Sequence, residues 1–265
     1  MPDKSGYIAV FDSGVGGISV LRQLVKLMPD EKYLYFGDSA NAPYGTKTTE
    51  EVRALTLAAC GALMERGSKA LVVACNTATA AAIADLRSIY PDRIIIGIEP
   101  ALKVAADHFP GGEIGVMATP VTLREEKFDT LLHRFETACS VHKIPAPGLV
   151  ELVERGMAES EETEELLTPL LLPYRNKLDA VVLGCTHYPF AAKAIGKLLG
   201  ENTALLEGGP GTARQTKRRL EAEGLLFDGP GEVVFENSAG SEEMKAFCEK
   251  LLAMPPWRGA HEKMV

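Results

Sequence analysis

Long apolar runs are missing from this 265-residue chain. No stretch approaches the ~18 consecutive apolar residues that a membrane-spanning helix needs. The opening segment, MPDKSGYIAVFDSG, has no apolar secretory core, so a cytoplasmic location with no membrane partner is expected. Excess positive charge is missing as well: 28 basic side chains stand against 36 acidic ones, a formal net charge of −8 spread along the chain. That argues against nucleic acid, which needs a basic patch, while leaving room for a small anionic substrate at the positive ends of helices. The cysteines (Cys60, Cys75, Cys139, Cys185 and Cys248) are odd in number and show no CxxC spacing. Reduced thiols, rather than a disulfide framework, are expected in a protein without a secretory signal. Cys60 and Cys248 fall in amphipathic helical patterns and read as small core residues; Cys139, outside such a clear pattern, also reads as structural.

Hydrophobic residues make up 46% of the chain, enough to bury a sizeable core. They are arranged as an alternation of short apolar, β-branched runs and helical patterns. YIAVF opens it, followed by a glycine turn and a helical pattern at Ile18, Leu21, Leu24 and Val25. KYLYF, a helix over Thr49 to Arg66, the run before Cys75 and RIIIG continue it. The pattern restarts near Glu99: a helix from Ala101, the strand EIGVMAT, a helix over Leu123 to Phe135, a proline-rich connector KIPAPG, then an acidic helix. Such alternation points to an α/β fold with mainly parallel sheets flanked by helices. Two similar lobes are expected, residues 1–98 with 211–265 and residues 99–210, with the active site in the cleft between them. A glycine-rich break, GGPG, precedes a helix from Thr212, a strand GEVVFENSA and a helix from Ser241; MPPWRGAHEKMV reads as a loosely held tail.

Two stretches organise the chain: ALVVACNTATAAA, carrying Cys75, and AVVLGCTHYPFAA, carrying Cys185. Each is an apolar strand that ends on a cysteine and passes into a helix. A thiol at a helix amino terminus is activated, because unpaired amides and the helix dipole favour the thiolate. Thr77 is the expected N-cap after Cys75, and Pro189 suits the first helical position after Cys185. One such cysteine suggests a nucleophile. Two in equivalent settings suggest proton removal on one face of a carbon and proton return on the other, which inverts the centre. Asp12, at the end of the first strand beside Ser13, either assists a cysteine or caps the Gly14–Gly17 turn. His187, two residues past Cys185, has a thiol neighbour. Glu154 reads as a surface carboxylate from the residues alone.

DSGVGGISVL, FGDSANAPYG, VVACNTATA, MATPVTL and VVLGCTHYPF, in this order, resemble the glutamate racemase family of the cofactor-independent aspartate/glutamate racemase superfamily. The resemblance is dense over roughly residues 7–215 and weaker beyond. It implies two α/β lobes, no cofactor, a homodimer and a supply of D-glutamate for peptidoglycan. By matched position it implies that Cys75 serves the D-glutamate face, assisted by Asp12. Cys185 serves the L-glutamate face, assisted by Glu154 and His187. Ser13, Pro43, Tyr44, Gly45, Asn76, Thr77, Thr122 and Thr186 match substrate contacts, and Asp38 falls on the acid of the loop after the second strand. The chain departs from the pattern at Ser39, Asn41 and Ala146, where threonine, arginine and cysteine are common.

Other readings remain open at this point. Another racemase of the same superfamily would share these motifs. Gly14-x-Gly16-x-x-Ser19 nearly matches a dinucleotide fingerprint, with Asp38 near the ribose position, but it leaves both cysteine stretches unexplained. A two-lobed amino-acid binder without catalysis would bind glutamate and leave its α-proton in place. Cys75, Cys185, His187 and Asp12 have metal-ligand chemistry but are scattered along the chain.

Overall fold

The computed structural model describes residues 3–124, 130, 132–135 and 137–255. The chain forms two compact units, one of Met1–Glu99 with Gly209–Met254 and the other of Pro100–Gly208.

The first unit is a parallel sheet of β1 (Ile8–Asp12), β2 (Lys32–Gly37), β3 (Ala70–Val73), β4 (Ile94–Gly97) and β9 (Glu232–Asn237). Their order is β4-β3-β1-β2-β9. All five residues of β1 are buried, as expected of a central strand covered on both faces. Between the strands lie α1 (Ile18–Leu27), α2 (Thr49–Glu65) and α3 (Asn76–Ile89). Thr48 and Glu51 form a reciprocal capping box at the start of α2, which fixes where the loop after β2 ends.

The second unit is a parallel sheet of β5 (Glu113–Ala118), β6 (Ser140–Pro145), β7 (Ala180–Leu183) and β8 (Ala204–Glu207), in the order β6-β5-β7-β8. Its helices include α4 (Leu102–His108), α5 (Leu149–Glu154), α6 (Glu161–Leu171) and α7 (Ala192–Leu199). The two sheets share one winding: the second strand lies on one side of the first, the third lies on the other, and the fourth lies outside the third. In open α/β sheets the loops at the carboxyl ends of the first and third strands then diverge and leave a crevice.

Two local expectations differ from the structure. The first half of the connector KIPAPG belongs to β6, whose polar residues tolerate an exposed edge and whose Pro145 ends the strand. The glycine-rich break is instead the first turn of α8 (Gly209–Ala222), a place where proline's missing N–H costs no hydrogen bond. The helix expected over Leu123 to Phe135 lies partly outside the described residues, and Thr122–Arg124 form a 3-10 turn. Most of the expected tail, residues 256–265, also lies outside them. The last helix, α9 (Glu242–Ala253), is capped by Ser241.

An ion pair lies inside the first unit. The wholly buried Lys69 ammonium donates to Glu31 Oε2 at 2.6 Å, to the Lys4 carbonyl at 2.6 Å and to the Leu225 carbonyl at 2.9 Å. Glu31 Oε1 accepts from the Phe227 amide at 2.9 Å. Burial pushes the Lys69 pKa down, and Glu31 opposes the shift. The pair therefore ties the start of β3, the start of β2 and the segment entering β9. Lys69→Met strands the Glu31 carboxylate, and a loss of about 3–5 kcal/mol is expected in urea denaturation. A loss under about 1 kcal/mol would show that the pair carries little stability.

Candidate active site

In the first unit the site is built at the carboxyl ends of β1, β2 and β3. Asp12 is the last residue of β1 and is fully buried; its Oδ1 accepts from the Gly14 amide at 3.0 Å. The turn that follows requires glycine at position 17, because a Cβ there would lie 2.6 Å from Asp12 Cβ. Gly17→Ala is expected to displace Asp12 and to cost about 1–3 kcal/mol by overpacking; an unchanged melting temperature with full activity would contradict this.

Phe11 pairs with Val73, and the Ala74 amide donates to the Phe11 carbonyl at 2.8 Å, so the register carries Cys75 to a place beside Ser13. The Cys75 thiol donates to Ser13 Oγ at 3.6 Å. Cys75 is 5% exposed and is itself the N-cap of α3: its sulfur accepts from the Ala78 amide at 3.5 Å. The cap expected at Thr77 is thus taken by the Cys75 sulfur, and Thr77 lies in the first turn. A sulfur in that position faces the positive end of a fourteen-residue helix. Asn76 is 9% exposed, and its amide nitrogen is a buried donor with no partner among the described residues. A buried donor of this kind calls for an acceptor, such as a carboxylate oxygen.

The loop after β2 closes over this station. Asp38 is buried and accepts from Tyr44 Oη at 2.6 Å and from Asn41 Nδ2 at 2.9 and 3.1 Å. The Tyr44 ring packs in the same apolar cluster as Phe11 and Cys75. Burial and then the bond to Asp38 push the Tyr44 pKa up, so the phenol stays neutral and acts as a donor. Pro43, after a cis Ala42–Pro43 bond, and Gly45 flank the ring in this loop. With its oxygens engaged by Asn41 and Tyr44, Asp38 is not presented as a ribose acceptor.

In the second unit the matching ends are those of β5, β6 and β7. Met117 pairs with Leu183, and the Gly184 amide donates to the Met117 carbonyl at 2.7 Å, which places Cys185 beside Thr119 as Cys75 is placed beside Ser13. Thr119 and Thr122 share a hydrogen bond of 2.9 Å between buried hydroxyls. Thr186 is buried next to Cys185. The residues after Cys185 form a 3-10 turn over Tyr188–Ala191, with Pro189 in it, before α7 begins.

Cys185 Sγ lies 3.7 Å from His187 Nδ1, and His187 Nε2 lies 2.6 Å from Glu154 Oε1. His187 is 2% exposed. Burial alone would depress its pKa; the hydrogen bonds to Cys185 and Glu154, with their charges, outweigh burial and hold the imidazole well above its usual value. Glu154 is the last residue of α5, where the helix dipole disfavours a carboxylate. Its partner His187 offsets that cost. The expectation of a surface carboxylate from the residues alone therefore fails for a reason no local pattern carries: the partner lies on another loop.

Each unit thus presents a thiol on the loop after its third strand, beside a hydroxyl on the loop after its first. The neighbouring groups differ: the buried Asp12 carboxylate and the Asn76 amide in one unit, and the His187–Glu154 pair in the other. Among the described residues no three His, Cys, Asp or Glu side chains converge in a way that could hold a metal ion. No helix among them is long and apolar enough to cross a membrane.

Residues 8–216 match the Asp/Glu/Hydantoin racemase family. The glutamate racemase of Clostridium botulinum (strain Alaska E43) is 47% identical over 255 residues, covering 95% of this chain and 99% of the relative. Among solved structures, glutamate racemase isoform RacE1 of Bacillus anthracis superposes with a TM-score of 0.85 at 31% identity, covering 95% of each chain. The glutamate racemase of Francisella tularensis in complex with D-glutamate superposes with a TM-score of 0.82 at 26% identity, again over 95% of each chain.

Proposed function

Because the chain belongs to the Asp/Glu/Hydantoin racemase family, we propose that it is an isomerase interconverting L- and D-glutamate, with Cys75 and Cys185 as the two proton-transfer groups. The observation that carries the mechanism is the repeated station: a thiol after the third strand of each unit, each with its own supporting groups.

In the L-to-D direction the Cys185 thiolate takes the α-proton, and the electron pair of that C–H bond is delocalised toward the α-carboxylate. The Cys75 thiol returns a proton to the opposite face. Turnover leaves Cys185 as thiol and Cys75 as thiolate; the D-to-L direction runs the same steps in reverse. The reaction requires both sulfurs to face one Cα. His187, hydrogen-bonded to Glu154, stands beside the Cys185 sulfur as a charged partner, and the amino terminus of α3 faces the Cys75 sulfur. The α-proton is a weak acid, so the site must stabilise carbanion character with fixed dipoles. The Asn76 amide, the Thr77 and Thr186 hydroxyls and the helix amides supply donors for the carboxylates; Ser13, Thr122, Pro43, Tyr44 and Gly45 complete the proposed substrate wall. Every step uses the chain's own side chains, with no cofactor.

The same reading makes D-glutamate for peptidoglycan the product in use, by a cytoplasmic homodimer. The test is optical: incubated with L-glutamate, the protein drives rotation to zero, while aspartate and neutral amino acids are left essentially unchanged. Folded protein that leaves the rotation of either glutamate enantiomer unaltered would end the proposal.

A further inference from the structure

The tyrosine of the Cys185 turn has no role in the chemistry just described, yet it is among the largest fully buried side chains. Its backbone amide donates to the Cys185 carbonyl at 3.1 Å and closes the turn. Its hydroxyl donates to the Ala146 carbonyl at 3.1 Å. Ala146 is itself held by its amide to the Ala118 carbonyl at 3.1 Å, just before Gly148 starts α5 in a left-handed conformation (φ 87°). A side chain at Gly148 would also meet Leu166 Cδ1 at 2.9 Å, so the chain enters α5 along one defined path. At the other end of this six-residue helix, Glu154 bonds His187. The links close a ring: Cys185, His187, Glu154, α5, Gly148, Ala146, Tyr188 and back to Cys185.

A helix this short is too weak to hold its own position; tertiary tethers must place it. Two hydrogen bonds in this ring join the α5 segment to the Cys185 turn, Glu154 to His187 at its end and Ala146 to Tyr188 just before its start. Burial, followed by the nearby Cys185 and Glu151, raises the Tyr188 pKa well above the usual phenol value, so the hydroxyl remains a donor whichever state Cys185 is in. A tether that survives each proton transfer can hold the Glu154 carboxylate on His187 throughout turnover.

We propose that Tyr188 is a positioning residue for the L-glutamate face, acting through α5 to align Glu154 on His187 beside Cys185. This rests on the proposed racemisation. The test compares Tyr188→Phe, Glu154→Gln and the double variant, all in the full chain. The readouts are kcat, the primary isotope effect with α-deuterated L- and D-glutamate, and thermal unfolding. Tyr188→Phe alone is expected to lower kcat roughly tenfold, the effect of one lost hydrogen bond. It is also expected to raise the isotope effect for L-glutamate while lowering it for D-glutamate. In the Glu154→Gln background it is expected to change kcat less than about twofold. Effects that multiply, or isotope effects that move together, would overturn the inference. If Tyr188→Phe does not fold, Gly148→Ala, which shifts the same end of α5, decides by the same isotope-effect criterion. An inactive wild-type protein would remove the proposed reaction and this inference together; an active wild type with multiplying effects removes only the inference.

Discussion

Cys185→Ser and Cys75→Ser are each expected to lower kcat for racemisation by about 10³-fold, equivalent to some 4 kcal/mol of transition-state stabilisation. A serine hydroxyl keeps the shape and the hydrogen bond but is far too weak an acid to exist as alkoxide at neutral pH. Because the two enantiomers are equal in free energy, kcat/KM must fall equally in both directions for either variant, so loss of rate cannot say which thiol serves which face. Isotope effects can. In Cys185→Ser the transfer at the L face becomes limiting, so the effect with α-deuterated L-glutamate rises and that with D-glutamate falls. In Cys75→Ser the pattern reverses. Mild losses with matching isotope effects in both directions would show that the thiols do not divide the faces.

The second large effect belongs to His187. His187→Asn preserves a polar group but removes the cation, and a fall in kcat of about 10²-fold or more is expected, the lower end of what a positioned acid–base group contributes. Glu154→Gln leaves the imidazole but removes one of the partners that raise its pKa. Any limb of the kcat–pH profile that reports His187 should therefore shift toward acid in that variant. Stability follows the same linkage. The folded His187 pKa lies above the unfolded value of about 6.5. Its stabilising contribution is thus complete below about pH 6.5 and is lost as pH rises through the folded value. The stability gap between wild type and His187→Asn should narrow from pH 6.5 upward. Thermal melts showing the gap widening with pH would contradict an imidazolium at this position.

Much of this arrangement could be read from the chain because it is local. An apolar run, a small residue, a cysteine and a helix-starting segment together place Cys75 and Cys185 at strand ends, and YIAVFD places Asp12 the same way. What could not be read depends on contacts between distant segments. KIPAPG reads as a connector although its first three residues end β6, because an edge strand with one neighbour, β5, need not be apolar. Thr77 is the N-cap that the sequence favours after Cys75, because hydroxyls are the usual caps, whereas the sulfur itself accepts the Ala78 amide. Lys69 offered no hint of burial, since a charged residue before a strand is ordinarily solvated; its acceptors come from residues 4, 31 and 225. Tyr188 could be seen within its motif, but its acceptor lies 42 residues earlier. Glu154 likewise meets its partner in a histidine 33 residues later.

The most direct test of two groups serving two faces is racemisation of protiated L-glutamate by enzyme equilibrated in deuterium oxide, with substrate and product isomers separated at low conversion. Proton transfer by two separate thiols gives D-glutamate carrying deuterium at Cα from its first formation, while the remaining L-glutamate keeps its proton. D-glutamate that retains the original proton, or L-glutamate that gains deuterium as fast as product forms, would contradict it.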